Sequence, residues 1–139
     1  MRDRPWTIAV VDDDPSMCGA LARLLTAKSF SVRTFPSAEA YLGDPGRRDV
    51  DFLVLDLQLG STSGLELQKR LAAVPPVPPI AFMTAHDDPD SREQAQRADC
   101  VAYLRKPFPG RHLLDAIRRS LGIPADLPPI APGNPDGSN

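Results

Sequence analysis

Short apolar segments alternate five times along the chain with segments of helical periodicity. The apolar segments are as long as strands, are rich in Val, Ile, Leu and Phe, and are bounded by turn residues. They lie at about 6–11, 30–35, 51–56, 79–84 and 100–104, and each is followed by a helix candidate. Because these strands are apolar on both faces and separated by single helices, the pattern predicts a parallel sheet covered on both sides, a three-layer α/β fold.

The first and last helices carry signals at their ends. Pro15 suits the first turn of a helix and Asp14 suits its N-cap, while Gly122 suits the residue after the last helix. Both helices have one apolar stripe at helical spacing. The stripes consist of Met17, Ala20, Leu21, Leu24 and Leu25 in the first helix, and of Leu113, Leu114, Ile117 and Leu121 in the last.

Three segments depart from this regularity. The sequence VPPVPP at 74–79 predicts a stiff connection, because proline at this density neither continues a helix nor pairs inside a sheet. The helix candidate near 90–98 has little beyond two alanines to bury, so we expect it to be weakly anchored and mobile. We expect one domain over 1–122 and an extended Pro-rich tail or linker over 123–139, in which Pro129 to Pro132 matches a minimal PxxP pattern.

Composition and charge narrow the function classes. With 139 residues and 42% hydrophobic content, the chain fits one globular domain with a core. A net charge of −2 offers no basic surface for nucleic acid or anionic lipid as the main partner. We find neither a signal peptide nor the roughly 20 apolar residues that span a bilayer, and expect a cytoplasmic protein. Cys18 and Cys100 have no metal-ligand or disulfide spacing, so both are interpreted as buried small residues.

Polar side chains follow four of the predicted strands. Ligands of open α/β sheets bind outside the carboxyl ends of the strands, so these side chains are candidates for chemistry. If all the strands are parallel, they converge on one edge of the sheet. They are Asp12, Asp13 and Asp14 after the first strand, Asp56 after the third, Thr84 after the fourth and Lys106 after the fifth.

This set of side chains predicts a divalent-cation site. Neighbouring carboxylates repel one another unless a cation lies among them, and hard oxygen ligands without His or Cys favour Mg²⁺ or Mn²⁺ over zinc. A metal ion, a lysine and a hydroxyl can together hold a phosphoryl group. The remaining carboxylate, Asp56, could then act as the nucleophile and form an aspartyl phosphate.

Five motifs, in this order and at these spacings, resemble the receiver domain of two-component response regulators. They are VVDDD at 10–14, LVLDLQL at 53–59, SGLEL at 63–67, FMTA at 82–85 and YLRKPF at 103–108. The resemblance covers about residues 5–121. It implies a flavodoxin-like (βα)5 fold with a five-stranded parallel sheet in the order 2-1-3-4-5.

Position by position, the resemblance implies a role for each candidate. Asp56 matches the phosphoacceptor, which takes its phosphoryl group from a phosphohistidine. Asp12 and Asp13 match the acidic pair that holds Mg²⁺, with Asp13 the more direct ligand. The backbone carbonyl of Gln58 matches a further ligand, and Lys106 matches the lysine that contacts the acceptor and the phosphoryl oxygens.

The resemblance also implies a switch. Thr84 and Tyr103 match the pair in which the hydroxyl moves towards the phosphoryl group and the aromatic ring turns inward. Pro107 matches a cis proline, whereas Asp14 matches no ligand, which favours its capping role. The implied partners are a sensor histidine kinase or a histidine phosphotransfer protein, and a downstream protein at the face formed by the fourth helix, fifth strand and fifth helix. Homodimer formation is left open.

A few positions differ from the usual receiver pattern. Gly60 stands where proline is common, which predicts a more mobile loop after the acceptor. Asp99 replaces a glycine common before the fifth strand, where the backbone can require a left-handed conformation. His86 is interpreted as a loop histidine; its position and that of Gln58 can tune the lifetime of the phosphoryl group in the family.

Other interpretations stay open at this point. Taken singly, the acidic run could be a solvated turn, Thr84 a strand-end hydroxyl, Lys106 a surface charge and Tyr103 a core aromatic. The run from Asp12 to Ser16 also fits a haloacid-dehalogenase-like phosphatase with Asp12 as nucleophile, but that scheme leaves Asp56 without a role and places the lysine after the acidic pair. A receiver that serves only as a binding scaffold is the third alternative.

Overall fold

A computed structural model describes residues 4–60 and 62–124 of the chain. Its central feature is a sheet of five parallel strands in the order β2-β1-β3-β4-β5. The strands are β1 (Thr7–Val11), β2 (Ser31–Phe35), β3 (Phe52–Asp56), β4 (Ile80–Thr84) and β5 (Ala102–Arg105). The predicted fold class and strand order are confirmed.

Five helices connect or follow the strands. They are α1 (Pro15–Ala27), α2 (Ala38–Leu42), α3 (Gly64–Ala73), α4 (Pro89–Arg97) and α5 (Gly110–Leu121). Helix α2 is short and is followed by a 3₁₀ turn at Pro45–Asp49. Between β3 and α3 the chain forms a small antiparallel hairpin of Gln58–Leu59 and Thr62–Ser63, which we call the acceptor hairpin.

The sheet separates two apolar cores. Along β1, Ile8 and Val10 pack into one core with side chains of α1 and α5. Ala9 and Val11 pack into the other, with side chains of α2, α3 and α4. Because successive side chains of a strand point to opposite faces, a strand that is covered on both sides must be apolar at every position, as the sequence pattern required.

Local signals at the ends of elements are confirmed. Asp14 caps α1 by accepting a hydrogen bond from the backbone N–H of Ser16 at 2.9 Å. Gly122 ends α5 with a φ of 70°, and Asp99 adopts a φ of 63° before β5, in the left-handed region expected there. The peptide bond between Lys106 and Pro107 is cis.

The structure describes two of the three irregular segments named in the sequence, the proline segment at 74–79 and helix α4. Residues 74–79 form neither helix nor strand, and among the described residues of α4 only Ala95 is buried.

Cys18 is buried, but the prediction that Cys100 is buried is wrong, since it is only partly covered at the edge of the second core. Residues 125–139, and with them the PxxP pattern, lie outside the described residues. In the described part of the chain, no helix is long and apolar enough to cross a bilayer.

Candidate functional site

Two buried carboxylates lie side by side where β1 and β3 end. Asp12 follows β1, and Asp56 is the last residue of β3. The parallel register that pairs Val11 with Leu55 brings the two aspartates to neighbouring positions at the sheet edge. Only 1% of Asp12 and 5% of Asp56 is exposed, so both carboxylates need partners inside the protein.

Lys106 supplies a partner to both aspartates. It follows β5, and its Nζ lies 2.8 Å from Oδ2 of Asp12 and 3.1 Å from Oδ2 of Asp56. The Lys106 side chain is 19% exposed, so the ammonium bridges two buried charges at the mouth of the site. The remaining oxygens accept backbone hydrogen bonds, Asp12 Oδ1 from Asp14 at 2.9 Å and Asp56 Oδ1 from Gln58 at 3.0 Å.

A third carboxylate gives this cluster the donor set of a cation site. Asp12, Asp13 and Asp56 each offer one oxygen, and these oxygens lie within 4.8 Å of one another. Asp13 is exposed, so a cation would reach the cluster from solvent. Three carboxylates outweigh the Lys106 ammonium, and the cluster keeps a net negative charge. Oxygen donors of this number and charge fit Mg²⁺ or Mn²⁺.

Opposing effects act on the pKa of Asp56, the acceptor candidate. Burial raises the pKa of Asp56 above its usual value, and the charge of Asp12 adds to this, although the Gln58 N–H and Lys106 oppose it. For Lys106, burial alone would lower the pKa, but its hydrogen bond to Asp12 and the charge of Asp56 outweigh burial and raise it. The lysine is therefore a fixed positive charge at neutral pH.

The two predicted switch residues lie on the neighbouring strands β4 and β5. Thr84 is fully buried at the end of β4, and its carbonyl accepts a hydrogen bond from the backbone N–H of Lys106 at 2.7 Å. The Thr84 hydroxyl donates to the carbonyl of His86 and accepts from its N–H, both at 3.0 Å. Tyr103 is partly buried on β5, and its hydroxyl donates to Asp87 at 3.1 Å. His86 is an exposed loop residue, as expected.

A comparison with known protein families identifies the family of the chain. Residues 8–118 match the model of the response regulator receiver domain. The chain belongs to this family. It is a receiver domain of two-component response regulators, a class of signalling domain. Membership favours the receiver interpretation over the phosphatase one, in which Asp56 has no role.

Characterised relatives and solved structures agree with this assignment. Response regulator protein TmoT of Ectopseudomonas mendocina is 35% identical over 88% of this chain and 56% of its own length. The structure of response regulator StyR is 39% identical, with a TM-score of 0.77 over 86% of this chain and 60% of that one. The chain spans just over half the length of the curated relatives it matches.

A receiver domain in its activated form is also similar. The BeF3-activated receiver domain of DrrB from Thermotoga maritima is 30% identical to this chain. The TM-score is 0.76, and the match covers 85% of this chain and 98% of that one. The fold is therefore shared with a receiver domain that has been activated with BeF3.

Two uncharged residues of the site could not be identified from the pattern of charged residues in the sequence. Cys18 donates its thiol to the backbone carbonyl of Asp12 at 3.3 Å, which ties α1 to the exit of β1. Gly64 begins α3, and a Cβ at its position would lie 2.5 Å from the carbonyl oxygen of Asp56. The only sequence signal for Gly64 was its place in the SGLEL motif. From one sequence, a glycine required by a close backbone approach cannot be distinguished from a glycine required by a turn.

Replacing Gly64 with alanine should therefore disturb the acceptor without changing any charged group. The clash is with backbone, which cannot rotate away, so Gly64→Ala should lower the free energy of unfolding by about 1–3 kcal/mol. Urea denaturation measures this loss. Gly19→Ala in the middle of α1 is the control: its Cβ would meet only the tip of Arg23, so it should stabilise the helix by about 0.5–1 kcal/mol. Equal effects of the two changes would contradict the proposed crowding.

Proposed function

We propose that Asp56 accepts a phosphoryl group from a phosphohistidine on a sensor histidine kinase or a histidine phosphotransfer protein. An oxygen of the Asp56 carboxylate forms the new bond to phosphorus, and the bond from phosphorus to the imidazole nitrogen breaks. The imidazole keeps that electron pair and is released as neutral histidine after it takes up a proton. No general base is required, because the attacking carboxylate is already ionised.

One observation carries this proposal: the Lys106 ammonium lies within hydrogen-bond distance of both Asp12 and Asp56. A fixed positive charge at the acceptor oxygen can contact the incoming phosphoryl oxygens, on which negative charge accumulates. Burial raises the pKa of Asp56, and the Lys106 ammonium opposes this rise and helps to keep the attacking carboxylate ionised.

Asp12, Asp13 and Asp56, with the backbone carbonyl of Gln58, are the residues we propose to hold Mg²⁺ or Mn²⁺. The ion, when bound, neutralises charge on the phosphoryl oxygens. The chain itself contributes the rest of the site. The Asp14 N–H fixes one oxygen of Asp12 and the Gln58 N–H fixes one of Asp56, so the carboxylates are oriented before any ligand arrives.

We propose that Thr84 and Tyr103 report the state of Asp56 to the surface. Thr84 is the last residue of β4, and Tyr103 is the second residue of the neighbouring strand β5, where it pairs with Phe82. The output surface is the face of α4, β5 and α5, which would bind a downstream protein or a second copy of the chain. Phosphorylation would shift an existing equilibrium between two arrangements of this face.

Labelling with acetyl phosphate tests the proposal. Intact-mass spectrometry should show one added phosphoryl group in the presence of Mg²⁺ and none with a chelator. Asp13→Asn should raise the Mg²⁺ concentration needed for half-maximal labelling by about tenfold or more, because a proposed ligand is lost.

The adjacent Asp14 provides a matched control for this experiment. Asp14→Asn removes the same charge one residue away, where the side chain caps α1, and should leave the Mg²⁺ requirement unchanged. If neither wild type nor a variant is labelled by acetyl phosphate or by a phosphohistidine donor, the result would instead support a receiver that serves only as a scaffold.

A further inference from the structure

Three side chains beside the predicted switch contact one another in a closed triangle. The Tyr103 hydroxyl donates to Oδ1 of Asp87 at 3.1 Å. Arg92 donates through Nε to the same oxygen at 3.2 Å and through Nη2 to Oδ2. The guanidinium carbon of Arg92 also lies 5.9 Å from the centre of the Tyr103 ring, in the range of a cation–π contact. We call Asp87, Arg92 and Tyr103 the latch.

The latch joins elements that otherwise have little holding them together. Asp87 lies in the loop between β4 and α4, Arg92 in α4 and Tyr103 in β5. Among the described residues of α4 only Ala95 is buried, so polar contacts supply much of its attachment. The Asp87 side chain is 8% exposed although that of Arg92 is 55% exposed, which places the carboxylate between the guanidinium and the tyrosine.

The charge states suit this arrangement at neutral pH. The hydrogen bonds from Arg92 lower the pKa of Asp87, so it remains an acceptor. Burial and the bond to Asp87 raise the pKa of Tyr103, so its hydroxyl keeps the proton that it donates. A forked guanidinium–carboxylate pair also fixes geometry better than a lysine would.

The same loop holds the other half of the switch. The Thr84 hydroxyl is engaged with both backbone groups of His86, the residue that precedes Asp87. Movement of that hydroxyl towards Asp56 must break its bonds to the loop, and rotation of the Tyr103 ring must break its bond to Asp87. Both switch residues are therefore restrained by residues 86–92 in this arrangement.

We propose that Asp87 and Arg92 are positioning residues that hold Tyr103 in the position seen here and thereby set how strongly phosphorylation must act to switch the domain. This inference rests on the proposed function and adds its regulation. A ligand shifts a two-state equilibrium only by its differential affinity, so any bond made in one state alone raises the threshold for the other. Loss of the latch should increase the population of the inward arrangement about tenfold, as expected for one or two charge-assisted hydrogen bonds.

Fluorine NMR can observe the latch directly. The chain has two tyrosines, Tyr41 and Tyr103, so protein labelled with 3-fluorotyrosine gives one signal from the switch and one from a fully buried reference. Mg²⁺ and beryllofluoride, the mimic with which the DrrB receiver domain was activated, define the switched position of the Tyr103 signal. Arg92→Met and Asp87→Asn should move that signal towards the switched position without beryllofluoride and tighten apparent beryllofluoride binding about tenfold.

Arg97→Met is the matched control. Arg97 lies on the same helix and pairs with the exposed Glu93 at 2.7 Å, so its loss removes an arginine–carboxylate pair of α4 away from Tyr103. It should behave as wild type, while Arg92→Lys, which keeps the charge without the planar fork, should shift the signal less than Arg92→Met. An unchanged Tyr41 signal shows that each variant is folded.

The outcomes separate the two proposals. The latch is refuted if wild type responds to beryllofluoride while Arg92→Met and Asp87→Asn superimpose on Arg97→Met. If wild type does not respond at all, and acetyl phosphate also adds nothing, the proposed phosphoacceptor function fails first, and the regulatory role fails with it.

Discussion

Asp56→Asn is expected to abolish phosphoryl incorporation and, without Mg²⁺, to make the folded protein more stable. The first effect follows because the amide has no nucleophilic carboxylate oxygen for the phosphorus. The second follows because burial and Asp12 raise the pKa of Asp56, so the ionised side chain is less favourable in the folded state than in the unfolded state. The gain should be of the order of 1 kcal/mol, typical of relieving a strained functional residue.

The pH dependence of this gain has a definite sign. Since the pKa of Asp56 is higher in the folded state, the carboxyl favours folding when it is protonated, below its unfolded pKa of about 3.9. That contribution is lost as the pH rises through the folded pKa. The stability of wild type should therefore fall relative to that of Asp56→Asn as the pH is raised from about 4, with the full difference reached above the folded pKa of Asp56.

Urea denaturation at several pH values and intact-mass spectrometry measure the two effects separately. Asp115→Asn, on the exposed surface of α5, removes the same charge outside the site and should keep both labelling and stability near wild type. A phosphoryl group found on Asp56→Asn would contradict the proposed acceptor. In that case Asp12→Asn should not be labelled, because Asp12 is the nucleophile of the phosphatase alternative.

The sheet could be predicted from the sequence because burial on both faces makes the three central strands β1, β3 and β4 mainly apolar, whereas the edge strands β2 and β5 are partly exposed. The predicted strands at 6–11, 30–35, 51–56 and 79–84 each begin one residue before the observed strand. The fifth was displaced, since the prediction began at 100 and the strand begins at Ala102. The reason is local: Asp99 has a left-handed backbone, so the chain turns before it can pair with β4. The strand order came from the family resemblance, because periodicity does not specify which strands are neighbours.

Within the site, polar residues at strand exits predicted only part of the arrangement. Asp14 was included but caps α1, and Thr84 was included but its hydroxyl bonds to His86. Parallel strands bring Asp12, Asp56 and Lys106 to one edge wherever the rest of the chain lies. The sequence could not show the latch, because its three members come from a loop, a helix and a strand and meet only after folding. The same applies to the acceptor hairpin, where Thr62 donates to Glu39 of α2 at 3.2 Å and restrains a loop that Gly60 alone suggested would be mobile.

The buried ion cluster also predicts a strong effect of Lys106→Met. Methionine keeps the length and apolar stem of the side chain but leaves Asp12 and Asp56 without their shared cation. Removing one partner of a buried ion pair typically costs about 3–5 kcal/mol, and the partial exposure of Lys106 favours the lower end, about 3 kcal/mol at pH 7. The loss should disappear as the carboxylates become protonated at low pH, because only the ionised forms require a cation.

Mg²⁺ should restore much of this loss. A cation that binds the folded state alone stabilises it by about 2.7 kcal/mol at a concentration one hundred times its Kd. Removal of the competing ammonium should also tighten binding of the ion to Asp12, Asp13 and Asp56. Urea denaturation with Mg²⁺ and with a chelator measures both effects, and Lys69→Met on the exposed side of α3 is the matched control.

The double variant Lys106→Met with Asp56→Asn tests the cause. If the loss comes from carboxylates left without a cation, removing one of them should recover part of it, and the two changes should not be additive. Additive effects would mean that the loss in Lys106→Met does not come from the contact between Lys106 and Asp56. A full recovery by Asp56→Asn would instead place the destabilising charge on the acceptor, which makes Lys106 the group that allows this domain to keep an ionised, reactive aspartate in its interior.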